Sequence, residues 1–579
     1  MITKRQQVGG HVVQTATRST RGLDLRSIWL ITIACAAVSM VVAAMAALNT
    51  ALPAIAVDTG ADSAQMTWIV DGYTLALAAL LLPAGAIGDR FGRRGVLIVG
   101  LFAFAAASVL PIWIDEPVQL IVTRVLAGAA AALIMPATLS LITSGVPEHR
   151  RAIGVSVWAA VAGGGAIAGF LVTGLLLEFF SWHSIFITFA ASALLTALLS
   201  LTIGTSRDSN PGRFDIAGSL TSILAVTGVV LGLLEAPHRG WADPLVLISL
   251  VGGLALAVAF VILELRRISP LLDVRLFTNR AFGSGSLSIA MQFFASFGVF
   301  YLILQQLQLV FGYTPLQSAF ALMPMVAGVG VFALLGNWIA VRFHALRFVL
   351  AGGIMLCGIG IVLLGAVTYD SYWGALWIIV LCAIGIGLAT ASSTTAIMAN
   401  TPIDNQGVGS AVNDTARELG AAIGIAVAGS IMAAGYSSRI GPVADNAQAQ
   451  LTAAGERRIT AGDPIVGQML VQQAGEAAEY IRRSLAEATA VVDRLSEQAG
   501  PLALQIATDA QNAFLEPMRQ AYIVLGSVLM ASAVGLLWLA PRRVVPHSAA
   551  GSDATAETDA VSVGAADADE GPSTTPPIE

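Results

Sequence analysis

Fourteen separate stretches of this chain are apolar for about the length that crosses a bilayer, and nothing else in the sequence constrains the fold as strongly. They lie near residues 28–53, 65–87, 96–114, 118–143, 152–177, 182–203, 215–234, 245–264, 282–311, 316–341, 348–368, 373–399, 408–435 and 520–540. Inside hydrocarbon the backbone must satisfy its own N–H and C=O groups, so a run of roughly 20 apolar residues is expected to be a helix. The sequence therefore predicts an all-α integral membrane protein. Composition agrees: 56% of the 579 residues are hydrophobic, only 11% are charged, and the mean hydropathy is +0.79. A soluble domain carries roughly a quarter charged residues, so a soluble enzyme, a disordered chain and a nucleic-acid binder are all excluded.

The basic residues set orientation and remove one energy source. Of 30 basic residues one is a lysine, Lys4. A phosphate-binding GxxxxGK[ST] loop needs a lysine behind its glycines, so ATP-driven transport by this chain alone is not expected. With the N-terminus inside, the inner connections collect Arg90, Arg93, Arg94, Arg150, Arg151, Arg207, Arg213, Arg266, Arg267, Arg275, Arg280, Arg342 and Arg347, and Arg542 and Arg543 follow the last span. The short outer connections hold Arg239 alone. This positive-inside bias predicts a multi-pass protein of the inner membrane with both termini cytoplasmic. Residues 1–27 read as a polar tail before a retained first span, not a cleaved signal. Residues 544–579, rich in Ala, Ser, Thr, Asp and Pro, read as a disordered acidic cytoplasmic tail. Cys35, Cys357 and Cys382 all fall in apolar runs and are expected to be small buried hydrophobes.

Two features organise the spans. Gly85-Ala-Ile-Gly88-Asp89-Arg90-Phe91-Gly92-Arg93-Arg94 joins spans two and three, and is weakly echoed by Gly336-Asn-Trp-Ile-Ala340-Val341-Arg342-Phe343 between spans ten and eleven. Residues 28–204 and 281–543 then form two related six-helix halves, with two helices inserted over 205–280. Repeats of this kind are typical of secondary transporters, whose substrate site lies near the midplane between halves. Residues 436–518 form a long outer segment within the second half. There Leu470, Ala474, Ala477, Ile481, Ala488, Val491 and Leu495 recur at helical spacing. A self-packed helical hairpin over the outer mouth and a docking surface for another envelope protein both fit that pattern.

Ionisable groups inside apolar helices cost a few kcal/mol at the helix centre, so they are the best functional candidates. They are Asp71 in span two, Arg124 in span four, and Asp414, Arg417 and Glu418 in span thirteen. Asp414 and Glu418 stand four residues apart on one helix face, a pairing suited to loading and releasing a proton. Other readings stay open. Asp71 would also suit a wet outer vestibule, and Glu418 an ion pair with Arg417 or Arg124. Arg124 itself fits best as the charge partner of a carboxylate. Gly85 and Gly88 would let helices approach, and Asp89, Arg90, Gly92, Arg93 and Arg94 would form a charged latch at the inner turn. Trp68, Tyr73 and Tyr301, with Gln305 and Gln308, are candidate cavity residues. Trp158, Phe293, Phe294 and Trp338 belong to the same aromatic set, and Gln305, Gln306 and Gln308 would serve equally to bind substrate or to bond between helices. No cluster suggests a metal, and no base–nucleophile pair suggests hydrolysis.

These motifs resemble those of the major facilitator superfamily, and more narrowly its fourteen-helix drug:proton antiporter family of the EmrB/QacA type. Gly85–Arg94 is similar to the signature loop between spans two and three, which in the family stabilises the outward-facing state. Arg124, in Leu120-Ile-Val-Thr-Arg124-Val-Leu-Ala-Gly128 with Pro136 beyond, is similar to the span-four motif tied to proton coupling. Trp68-Ile-Val-Asp71-Gly-Tyr73, Phe214-Asp-Ile-Ala-Gly218, Pro270-Leu-Leu-Asp-Val-Arg-Leu-Phe277 and Gln308-Leu-Val-Phe-Gly312-Tyr-Thr-Pro315 resemble the fourteen-helix branch. The chain departs from the pattern at Ala44, where the family commonly has an acid before Asn49, and at Gly165–Gly174, where a proline and a glycine of the span-five motif are missing. His183 stands where relatives often have arginine. The resemblance implies a major facilitator fold and, instead of an enzyme, a proton-coupled exporter of amphipathic or cationic compounds working by alternating access. It needs no organic cofactor and is driven by the proton gradient. Its expected partners are small amphipathic substrates, protons and membrane lipids, with an envelope protein through 436–518 as a further possibility. A lipid or envelope-glycolipid exporter and a non-transporting scaffold are the rival expectations.

Overall fold

A computed structural model describes residues 24–114, 116–208, 214–369, 371–483, 485, 487–489, 491 and 501–542. The first 23 residues, Arg213, Leu495, Arg543 and the acidic tail 544–579 lie outside the described residues. The helices in chain order are α1 (Leu25–Thr59), α2 (Ser63–Phe91), α3 (Arg93–Val109), α4 (Pro117–Gly145), α5 (Glu148–Phe179), α6 (His183–Ser200), α7 (Ile216–Arg239) and α8 (Pro244–Arg266). They continue with α9 (Arg280–Gln305), α10 (Pro315–Arg342), α11 (Leu346–Ala366), α12 (Tyr372–Ala399), α13 (Gln406–Thr460), α14 (Pro464–Arg483) and α15 (Pro501–Leu539). All but α14 contain a stretch long and apolar enough to cross a membrane, giving the 14 spans that the hydropathy pattern predicts.

Local chemistry explains where the helices begin. Asp62 and Gln65 form a reciprocal capping box at the start of α2, and Thr314 and Gln317 form another at α10; each satisfies backbone donors that have no intrahelical acceptor. The segments that resemble the fourteen-helix branch are largely such punctuation. Asp215 accepts the Gly218 N–H at 2.8 Å and caps α7. Asp273 caps the short helical turn Val274–Thr278 through the Arg275 N–H at 3.1 Å. Gly312, at φ +69°, turns the chain between the π-helical end of α9 and α10.

Helices α1–α6 form one bundle, with α2 on α4, α1 on α5, and α3 on α4 and α6. Helices α9–α13 and α15 form the second, with α9 on α13, α10 on α12, and α11 on α12 and α15. The inserted α7 and α8 pack on each other, and α7 also lies against α2 and α13, so it flanks the seam between bundles. The two bundles meet through α2–α13 and α5–α10. The core of the first bundle continues into Phe282, Ile397, Val408 and Ala411 of the second. The three cysteines are buried and unpaired, as their apolar surroundings predict.

The outer segment differs from the expected picture in one respect. Span thirteen does not stop near residue 435. Helix α13 runs unbroken for 55 residues through Gly441 and Pro442, about 82 Å at 1.5 Å per residue against a hydrocarbon core of about 30 Å. Tyr436, Ile440, Ala444, Ala447 and Leu451 make a buried stripe along its C-terminal half, facing α14 and the first turns of α15. On α14 and the residues beyond it, Leu470, Ala474, Ala477, Ile481, Ala488 and Val491 are all buried, so the predicted amphipathic face is an inward one. The α13–α14 hairpin is self-packed and stands upright on the second bundle, sharing its core. It is a direct continuation of the spans. Packing of the stripe offsets the one backbone bond that Pro442 removes.

Candidate functional site

At the arginine-rich face the turn from α2 to α3 grips the other bundle. Asp89 accepts hydrogen bonds from Arg93 Nε at 2.9 Å and Nη2 at 2.7 Å, and both groups are buried. Its carboxylate also accepts the backbone N–H groups of Gly407 at 2.8 Å and Val408 at 3.0 Å. These are first-turn donors of α13, without intrahelical acceptors and at the positive end of a helix. Arg93 completes the grip by donating to the carbonyls of Ile403 and Asp404, each at 3.1 Å. Backbones touch here too. A Cβ on Gly85 would lie 2.5 Å from the Gly407 carbonyl oxygen, and one on Gly407 would lie 2.5 Å from that of Gly85. Gly88 faces open space, so of the two glycines only Gly85 serves close approach. Gly92, at φ +104°, makes the turn. Arg94 donates to the Ile203 carbonyl at 2.8 Å and stays within the first bundle, and Arg90 lies over the Phe91 ring at 5.6 Å.

The echoed segment supplies the second tie. Asn337 on α10 donates to the Ala152 carbonyl at 3.0 Å and to Ser156 Oγ at 2.8 Å on α5. An amide there does the task that the ion pair does at α2–α13. The repeat pointed to this segment, but not to Asn337, because the acid it was compared with has no counterpart. Both ties hold the arginine-rich face shut. Gly85→Val is expected to keep it from closing. The reactivity of a cysteine placed at the cavity residue Ser296, probed from that face with a membrane-impermeant maleimide, should rise severalfold.

Arg124 corrects one expectation. It is buried and makes no ion pair with a carboxylate among the described residues. It donates to the carbonyls of Ile69 at 3.1 Å and Ala44 at 3.0 Å, and its guanidinium lies 4.4 Å from the Tyr73 ring centre. Ala44 occupies the position where an acid was expected, and its backbone oxygen takes that acid's place as acceptor. Tyr73 is likewise committed, donating to the Val41 carbonyl at 2.9 Å.

Asp414, Arg417 and Glu418 come together on α13, only 0%, 2% and 6% exposed. Asp414 accepts one bond from Asn413 at 3.1 Å, and Asn413 in turn accepts from Thr394 at 3.0 Å. Asp414 Oδ2, Arg417 Nε and Nη2, and Glu418 Oε2 have no hydrogen-bond partner among the described residues. The Arg417 guanidinium is sandwiched between Trp158 of the first bundle, at 4.7 Å, and Phe293 of the second, at 5.0 Å. Arg417 and Glu418 open onto a cavity of about 60 Å³ between the bundles, otherwise walled by residues such as Met45, Gly163, Phe293, Phe297, Phe300, Met325 and Thr390. Buried charges without partners are strongly disfavoured in an apolar medium.

The remaining candidates lie elsewhere. Asp71 is half-buried on α2, away from the cavity; the charged group acting on it is Glu235 of α7, itself paired with Arg239 at 2.6 Å. Trp68, Tyr73, Tyr301, Gln305 and Gln308 do not line the cavity. Gln305 donates to the Tyr301 carbonyl at 3.1 Å, one turn back. Gln306 serves as an interhelical bond, accepting from Tyr369 at 3.2 Å and Tyr522 at 3.4 Å. His183 stacks on Trp182 at 3.7 Å, as an interfacial residue would. Of the aromatic set only Phe293 lines the cavity, with Trp158 behind Arg417. Phe297 and Phe300 escaped sequence reasoning because an apolar span offers many aromatics and no signal for which one faces inward.

Comparison with known proteins fits this geometry. The family model described as "Major Facilitator Superfamily" matches residues 33–425. The chain belongs to the Major Facilitator Superfamily. Among curated members, it is 33% identical to the multidrug efflux pump LfrA of Mycolicibacterium smegmatis over 416 residues, 70% of this chain and 81% of that one. It is 30% identical to the tetracenomycin C resistance and export protein of Streptomyces glaucescens, over 75% of this chain and 82% of the other. With the methyl viologen resistance protein SmvA of Salmonella typhimurium it shares 30% identity over 68% and 80%. A crystal structure of a bacterial homolog of the human lysosomal transporter Spinster superposes with a TM-score of 0.53 at 16% identity, covering 90% of this chain and 97% of that one. That likeness concerns the fold. Members of this superfamily are transporters, not enzymes, and the two bundles with α7 and α8 between them are its architecture with fourteen spans.

Proposed function

We propose that the chain is a proton-coupled exporter of small amphipathic compounds, cations among them, which resides in the inner membrane with both termini cytoplasmic. The observation that carries this reading is that Arg417 and Glu418, unpartnered among the described residues, open onto a mainly apolar cavity between the bundles, with Asp414 behind them. The efflux and resistance activities of the superfamily members above support it, as does the crowding of arginines at one face. A cavity of about 60 Å³ holds no more than a few waters, and drug-sized ligands need several hundred. Substrate therefore enters when the arginine-rich face is open, and Glu418 gives up its proton as it enters. The Asp89–Arg93 latch then closes that face, substrate leaves on the opposite side, and a proton from outside reloads Glu418. Asp414 is the second proton-handling group, and Asp71 serves the outer path.

The test is proton release from liposomes holding the purified protein under an inward-acid gradient, with lipophilic cations and neutral amphiphiles added in turn. Substrate-triggered proton flux is expected with the cations. Lipid movement without proton flux would replace this reading with a lipid exporter. No movement of any compound would leave a scaffold.

A further inference from the structure

Arg417 and Glu418 are neighbours in sequence, yet both reach one small cavity whose other walls are mainly apolar. Two aromatic rings lie 4.7 and 5.0 Å from the guanidinium carbon, and Nε and Nη2 on its edge lack acceptors among the described residues. No acceptor of the protein reaches it among the described residues: Asp414, one turn before Arg417, bonds only Asn413 and keeps Oδ2 unpaired, and Glu418 makes no ion pair with Arg417 within 4.0 Å. Glu418 Oε2 also lacks a donor. A purely cationic ligand would satisfy Glu418 and leave the Arg417 edge without an acceptor. A purely anionic ligand would do the reverse. Buried charged groups left without partners carry the full desolvation penalty. One ligand class satisfies both.

We infer that the cavity is built for zwitterionic amphiphiles: a flat apolar ring system, carried against the packed rings of Phe293, Phe297 and Phe300 once the arginine-rich face opens, with a protonated amine for Glu418 and a carboxylate or phenolate oxygen for the Arg417 edge. This inference rests on the antiport reading and adds the substrate's charge pattern to it. Arg417 becomes the specificity-determining residue, and Glu418 the group that exchanges amine for proton.

The experiment uses three fluorescent compounds with one polyaromatic core: an amino acid, its methyl ester (cation only) and its N-acetyl acid (anion only). Transport and proton release are measured in the same liposomes for wild type, Arg417→Gln and Arg417→Lys. Wild type is expected to half-saturate with the zwitterion at a concentration at least about tenfold below that for either relative, as one added charge-assisted contact would give. Arg417→Gln should bring the ratio of zwitterion to ester close to one, and Arg417→Lys should keep part of the preference. Equal half-saturation for zwitterion and ester in wild type overturns the inference, and that comparison needs no variant to fold. So does a preference unchanged in Arg417→Gln, which would mean that water serves the guanidinium edge. Proton release by the ester without zwitterion preference leaves antiport standing and the inference refuted. Proton release by none of the three refutes antiport itself.

Discussion

Glu418→Gln is expected to uncouple transport from the proton gradient. Gradient-driven accumulation of substrate should fall by about a hundredfold or more, because among the described residues no other carboxylate lines the cavity wall to act as a surrogate. The substitution keeps shape and volume, so the wall of the cavity is preserved. Exchange of labelled for unlabelled substrate in the absence of a proton gradient, which needs no proton movement, should persist within a few-fold. Loss of exchange together with accumulation would make Glu418 a binding or structural residue only. Full accumulation would remove it from the mechanism. Asp414→Asn should have the smaller effect of the two, since Asp414 lies behind the wall and is held by Asn413.

The second large effect is expected at the latch. Asp89 serves four N–H groups at once, two from Arg93 and the two first-turn amides of α13. Breaking a buried charge pair by removing one partner costs about 3–5 kcal/mol. The two α13 amides belong to the other bundle and are lost when the face opens, so Asp89→Asn should shift the equilibrium toward an open arginine-rich face by at least about tenfold. Maleimide labelling of the cysteine at position 296 from that face should rise accordingly, while substrate export falls. Arg94→Gln, whose contact stays within the first bundle, should shift labelling far less. Equal labelling in wild type and Asp89→Asn would show that the Gly85–Gly407 contact and the Asn337 tie suffice to close the face.

Much of the molecule is legible in its residues alone. Spans, halves and inserted pair follow from hydropathy, because lipid leaves the backbone no choice but helix. The latch is legible as well, since Gly, Asp and Arg at that spacing have few uses at the end of a span. Helix α13 shows where such reading falls short. Gly435, Gly441 and Pro442 suggest a stop, while the buried stripe of Tyr436, Ile440, Ala444, Ala447 and Leu451 at helical steps carries it on. Sequence displays the breakers at full strength, but the value of the stripe depends on partners more than ten residues away.

What the sequence determined alone is the set of elements and the identity of the charged groups, because both depend on local composition against a uniform apolar solvent. Which of those groups meet was decided by tertiary structure. Asp71, Arg124 and Glu418 look alike as charges in apolar spans, yet one faces α7, one is spent on the carbonyls of Ala44 and Ile69, and one opens onto the cavity. Nor can a linear pattern say that Asp89 would find a backbone donor at Gly407, more than three hundred residues on. Such pairings follow from how two bundles dock, and docking is set by shape at glycine-lined contacts that no single helix contains.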